Sequence, residues 1–136
     1  MATFHLELVT PERVLFSERV KSVRAPGIEG SFGVLASHAP LMTVLTVGLI
    51  KIEHENGDME HIATSGGFME VGRDKTIILA DTAERAEDID IARAEAAVAR
   101  AREQLQSGAA VDYEQAHANL ERALNRLRVA QMQNHQ

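Results

Sequence analysis

From Phe4 to Val9 apolar residues alternate with His5 and Glu7, the period-two pattern of a strand that buries one face. The alternation recurs in short pieces as far as Ala80, each piece bounded by residues that turn the chain. Thr10-Pro11-Glu12-Arg13 supplies the first turn. Val14 to Phe16 and Val20 to Ala25 read as separate short strands, and Pro26-Gly27 with Glu29-Gly30 ends the second of them in a loop. Gly30 to Leu35 resumes extended structure, and Ser37-His38-Ala39-Pro40 forms a loop in which the residue before proline is pushed out of helical geometry. A long apolar strand is expected from Leu41 to Ile52, with Gly48 inside it marking a bulge or a close backbone approach. Asn56-Gly57 predicts a hairpin with a type I′ turn, whose two central positions need positive φ. Ser65-Gly66-Gly67 separates a strand around Ile62 from one at Phe68 to Val71, and Gly72-Arg73-Asp74 turns into Thr76 to Ala80. About ten such short strands are dense enough for two packed sheets, a β-sandwich.

The pattern changes over Glu84 to Ala94. Beyond it, Ala94, Ala96, Ala97, Val98, Ala99 and Ala101 give high helix propensity and small side chains that let another helix lie close. Gln106-Ser107-Gly108 ends this helix. Asp112 is the expected N-cap of a second, with Gln115 at the reciprocal capping-box position. Ala116, Leu120, Ala123, Leu124, Leu127 and Ala130 then recur at helical spacing as one apolar stripe. The expected fold class is therefore mainly β plus α, with a sandwich over 1–84 followed by an antiparallel two-helix hairpin over 85–136. Alanines bury few atoms, so the hairpin must lean on the sandwich or on a partner, and its docking is expected to be marginal.

Composition narrows the function classes. A formal charge of -6 leaves no basic surplus to displace counterions from nucleic-acid phosphates. Zero cysteines exclude disulfides, thiolate metal sites and cysteine nucleophiles. No apolar run reaches the roughly 20 residues that cross a bilayer, and Met1 to Thr10 lacks the basic start of an export signal, so a membrane role would require another protein as anchor.

Catalytic chemistry finds no support in the motifs. His54-Glu55 and His61 flank a hairpin turn and lack the helical spacing of a metal site, and His38 has no visible partner as a general base. Gly30-Ser31-Phe32-Gly33 lacks the lysine and the following helix of a phosphate-cradling loop. The arginines of the helices are more informative. Arg122 and Arg126 are one turn apart, Arg93 and Arg100 two turns apart, and in a hairpin the two sets can converge on one multiply charged anion. Asp90 and Arg93, three apart at a helix start, can pair or hold a polar ligand. The alternative is an ordinary helix-start acid, with solvated arginines paired to Glu84, Asp90 and Glu121.

Several motifs, in order, resemble the epsilon-subunit family of the rotary F-type ATP synthases from end to end. They are Gly33-Val34-Leu35, His38-Ala39-Pro40-Leu41, Ser65-Gly66-Gly67-Phe68-Met69-Glu70-Val71, Leu79 to Ala86, Ile89-Asp90 with Arg93-Ala94, and Arg126-Leu127-Arg128-Val129-Ala130. One departure is Ala36-Ser37, where the family usually has Pro-Gly before the histidine. The resemblance implies a non-catalytic rotor subunit whose sandwich binds the gamma subunit of the stalk and the c subunits of the proton ring. It also implies a mobile hairpin that inhibits ATP hydrolysis when it extends toward the catalytic alpha and beta head. Ile89 to Ala94 resembles the ATP-binding motif of bacterial members, with Glu84, Arg100, Arg122 and Arg126 at its supporting positions. The implied site is thus Glu84, Ile89, Asp90, Arg93, Arg100, Arg122 and Arg126, with ATP as regulatory ligand and not substrate; no sequence feature requires magnesium. The implied location is the cytoplasmic face of the bacterial cell membrane, held there through the complex. A purely structural stalk adaptor, without nucleotide sensing, is the alternative.

Overall fold

The computed structural model describes residues 2–107 and 112–134. Nine strands come first: β1 (Phe4–Val9), β2 (Val14–Gly27), β3 (Gly30–Leu35), β4 (Leu41–Leu45), β5 (Gly48–His54), β6 (Met59–Thr64), β7 (Gly67–Val71), β8 (Lys75–Ala80) and β9 (Ala83–Arg85). A 3-10 turn at Ala86–Asp88 leads into α1 (Ile91–Gln106) and α2 (Tyr113–Asn134). The strands hydrogen-bond in the order β1-β8-β7-β4-β2-β5-β6-β9, with β3 on β2 and a second pairing of β1 with β2. This is the expected β-sandwich followed by two helices. Alternating apolar residues meet between its layers, where Phe4, Leu6, Leu8, Phe16, Val20, Ile50, Ile52, Ile62, Met69 and Ile78 are buried in one core.

Two strand expectations are corrected. Val14 to Phe16 and Val20 to Ala25 belong to one 14-residue strand. The polar Ser17-Glu18-Arg19 between them looks like a break, but its backbone pairs with Glu7, Leu6 and His5 of β1, so tertiary pairing overrides local polarity. β2 then pairs with β5 from Val20 to Arg24 and with β3 from Ser22 to Gly27, which lets one strand serve both layers. Conversely, Leu41 to Ile52 is two strands, because β4 pairs with β7 whereas β5 pairs with β2 and β6. The chain changes partners at Thr46-Val47, where the Thr46 N–H donates to the Pro26 carbonyl at 2.9 Å. The close approach expected at Gly48 is present: a Cβ there would lie 2.6 Å from the Pro26 Cβ.

Two turns show what their residues can adopt. At Asn56-Gly57 only Gly57 has positive φ, at 92°. The Gly57 N–H donates to the His54 carbonyl at 3.0 Å and the His54 N–H to the Asp58 carbonyl at 2.9 Å. The loop is therefore a three-residue hairpin with glycine in the left-handed bulge position, and not a type I′ turn. Ser37, standing where the resembled family has glycine, takes φ 64°. The loop keeps a left-handed residue without the glycine that tolerates it best.

Asp112 caps α2, its carboxylate accepting from the Gln115 N–H at 3.1 Å. The reciprocal half of the capping box is absent, since the Gln115 side chain donates to Asn119 instead. Gly108, expected to close α1, lies outside the described residues. Ala94, Val98 and Ala101 of α1 are buried at helical spacing, as are Ala116 and Ala123 of α2, so the helices meet through small side chains. It is α2 that meets the sandwich, at β5, β6 and the 3-10 turn. Ala63, Ala86, Ile89, Val129 and Ala130 form a second, small apolar cluster there, with Leu49 packed against it. Among the described residues no helix is long and apolar enough to cross a membrane.

Because the large core lies wholly within the strands, a fragment ending after Arg85, which keeps β9 paired with β6, is expected to fold alone. Dispersed amide resonances would agree with this; a disordered fragment would make the helices part of the sandwich core. Ser37→Gly is expected to leave thermal stability unchanged or raise it, whereas Ser37→Val is expected to cost about 1–2 kcal/mol in chemical denaturation.

Candidate functional site

The seam between sandwich and hairpin holds a cleft of about 540 Å³. Thr82 and Glu84 line it from the sandwich, Ala97, Arg100, Ala101 and Gln104 from α1, and Asn119, Arg122, Ala123 and Arg126 from α2. Each helix contributes residues at spacings of three, four or seven, which is what places them on one face. The alanines form an apolar floor, and polar groups stand along the walls. Three guanidiniums face a single carboxylate in this space, an excess of positive charge in a chain whose total charge is negative.

The three arginines are held differently. Arg126 makes a two-pronged pair with Glu84, Nε to Oε1 at 2.7 Å and the second nitrogen to Oε2 at 3.2 Å, fastening α2 to β9. Arg122 donates to the side-chain oxygen of Asn119, which also accepts from Gln115 at 3.0 Å. A neutral amide thus orients Arg122 without cancelling its charge. The Arg100 guanidinium has no hydrogen-bond or ion-pair partner among the described residues. Arg100 and Arg122 are accordingly the stronger anion ligands, because the Arg126 charge is already balanced by a carboxylate and theirs are not.

Four of the seven residues marked in the sequence therefore converge: Glu84, Arg100, Arg122 and Arg126. The other three do not line the cleft. Asp90 is the N-cap of α1, its carboxylate accepting from the Arg93 backbone N–H at 3.0 Å. Ile89 is buried in the small apolar cluster beneath α2. The exposed side chain of Arg93 lies one turn before Ala97, on the helical stripe that continues into the cleft.

Thr82, Gln104, Asn119 and Asn125 were not apparent as site residues from sequence. Asn125 is only 3% exposed and donates to the Gly48 carbonyl at 2.8 Å, so it joins α2 to the start of β5.

The histidines occupy other places. His54 stacks at a tilt on Phe16, with ring centroids 5.6 Å apart, and its Nε2 lies 3.4 Å from Glu60. His61 is buried, and His38 Nδ1 lies 2.7 Å from the Ala39 carbonyl oxygen in an exposed loop. Among the described residues no group of three or more His, Asp or Glu side chains is arranged to hold a metal ion. A second surface is apolar: Val44, Phe68 and Leu79 are exposed on adjacent positions of β4, β7 and β8, continuing to Val9 of β1.

Residues 3–86 match the family model described as the ATP synthase delta/epsilon chain β-sandwich domain, and residues 87–131 match its long alpha-helix domain. The chain is 46% identical to the ATP synthase epsilon chain of Desulforamulus reducens, over 95% of this chain and 98% of that one. It is 49% identical to the epsilon chain of Nitratidesulfovibrio vulgaris, over 93% and 95% respectively. Among solved structures it resembles a chain of the Euglena gracilis mitochondrial ATP synthase, in a structure comprising OSCP, F1 and the c-ring. The TM-score is 0.79 at 28% identity, covering 89% of this chain and 77% of that one. A chain in the central stalk and c-ring of the Tetrahymena thermophila mitochondrial enzyme shares the fold, at 17% identity and a TM-score of 0.56 over 96% of each chain.

The Glu84–Arg126 pair is part-exposed, so its coupling in a double-mutant cycle with Glu84→Gln and Arg126→Met is expected to be about 1 kcal/mol. Chemical denaturation of the four proteins checks this, and zero coupling would remove the pair as a fastening of the hairpin.

Proposed function

This chain belongs to the ATP synthase delta/epsilon family, as an epsilon subunit of the F-type central stalk, and from that premise we propose that its docked hairpin is an ATP sensor that restrains hydrolysis when it is released. The observation that carries the proposal is the cleft at the seam, where three guanidiniums and one carboxylate surround an apolar floor. Its walls come from both the sandwich and the helices, so a ligand that fills it interacts with the docked arrangement and not with an extended one. Such differential affinity is what shifts a population. Arg100 and Arg122 face the phosphates, and the alanine floor with Gln104 and Thr82 accommodates base and sugar.

Without ATP, few large apolar groups hold the hairpin down, and the helices extend along the stalk to obstruct the catalytic alpha and beta head. Arg122, Arg126 and Arg128 are then available to acidic surfaces there, so nucleotide and head compete for the same cations. The subunit itself performs no catalysis. The exposed row of Val44, Phe68 and Leu79 supports a sandwich face that buries itself on the gamma subunit. Contact with the proton ring completes the coupling of stalk to membrane and keeps the subunit at the cytoplasmic face of the bacterial membrane.

Calorimetric titration of the full chain is expected to find one ATP site. Arg100→Ala and Arg122→Ala are each expected to weaken it about tenfold or more, the loss of one charge-assisted contact of roughly 1.5–3 kcal/mol. Absence of ATP binding by the folded chain would leave the purely structural adaptor as the reading. Reconstituted enzyme lacking residues after Ala86 is expected to hydrolyse ATP faster at low ATP, with the intact enzyme relieved as ATP rises. Equal rates across that range would contradict the inhibitory role.

A further inference from the structure

We infer that Asn125 is the positioning residue that makes the cleft conditional on docking, an inference that rests on the ATP-sensing reading of the same cleft. Asn125 lies one turn after Arg122 and next to Arg126, and its side chain enters the seam with the sandwich beside theirs, in a hollow that the three share with Thr64 and Thr82. One Nδ2 proton goes to the Gly48 carbonyl at 2.8 Å, and the same nitrogen lies 3.5 Å from the Thr64 carbonyl. Gly48 and Thr64 are paired partners at the end of the β5–β6 ladder, so a single amide reads two strands at once.

Both acceptors are rigidly placed. Gly48 is wedged against Pro26, where no Cβ fits without movement. The Thr64 hydroxyl donates to the Thr82 carbonyl at 2.9 Å and accepts from the Gly66 N–H at 3.1 Å. Thr82 is itself a wall of the cleft. A short chain of hydrogen bonds therefore runs from α2 through Thr64 to the sandwich side of the cleft. Alanine contacts alone specify the rotation and height of a helix poorly, since small side chains offer little relief to interlock. A buried amide that must meet two fixed carbonyls specifies both, and an undocked helix leaves those carbonyls without it.

The chemistry separates this role from space filling. Asn125→Asp keeps the shape but turns a donor into an acceptor-only carboxylate facing two carbonyl oxygens. Asn125→Leu keeps a similar volume and removes the amide from the two carbonyls. Hydrogen exchange of the full chain without nucleotide is the test, with β1 and β8 as internal references. Amides of α2 are expected to exchange about 10- to 100-fold faster in Asn125→Asp, and by a smaller factor in Asn125→Leu, as befits loss of a buried hydrogen bond against reversal of its polarity. Added ATP is expected to slow α2 exchange in both variants.

Exchange in Asn125→Asp equal to the parent would overturn the inference. So would loss of protection in β1 and β8 together with α2, because that would place Asn125 in the core of the sandwich and not at a separable contact. The predicted exchange in the two variants together with a parent chain that binds no ATP would instead refute the sensing reading and leave Asn125 as a docking residue alone.

Discussion

Everything specific to the hairpin depends on how α2 rests on the ends of β5 and β6. That contact is thin. Its apolar part consists of Ile89 and Val129 among the alanines Ala63, Ala86 and Ala130, with the partly buried Leu49 packed against them. The two branched residues bring about 1.5–3 kcal/mol each when fully buried, and each alanine brings less. Against this stands the entropy of ordering the segment that leads from β9 into α1. A contact this thin is one that modest interactions could strengthen or release, as the proposed sensing role requires and a structural strut does not.

Polar groups then decide geometry. The Glu84–Arg126 pair fastens α2 to the edge strand β9, and Asn125 fixes it against β5 and β6. Arg126 is partly neutralised by this role, while Arg122 is oriented by the uncharged Asn119 and Arg100 stands without a partner among the described residues. Three arginines of similar appearance in sequence thus divide into one that holds the fold and two that leave a positive field in the cleft. A fully paired set would have made a stable hairpin with no affinity for anions; a wholly unpaired set would have repelled itself apart.

The sandwich was largely legible because alternation and turn residues are local signals. It failed where partners decide: Ser17-Glu18-Arg19 is strand because β1 pairs with it, and Thr46-Val47 is a break because β4 and β5 pair with different strands. The turn at Asn56-Gly57 was expected from composition, but its type depended on a bulge that composition does not specify. In the site, the one-turn spacing of Arg122 and Arg126 and the two-turn spacing of Arg93 and Arg100 announced shared faces, and the resemblance put Glu84 with them as a site residue. At Asp90 one spacing carries two readings, since the three-residue interval that suggested a ligand pair is also that of an N-cap, which its carboxylate makes here. Asn125 was illegible because its partners are two backbone carbonyls far away in sequence.

If ATP and docking of the hairpin are linked, a distance across the seam reports the link. The chain has no cysteine, so one introduced at the exposed Lys51 of β5 and one at the exposed Arg128 of α2 can carry a pair of spin labels without background. Pulsed dipolar spectroscopy would then give the populations of the short, docked separation and of longer ones. The short distance is expected to gain population as ATP is added and to saturate with the binding curve. A distribution that stays the same while ATP saturates the chain would contradict the link.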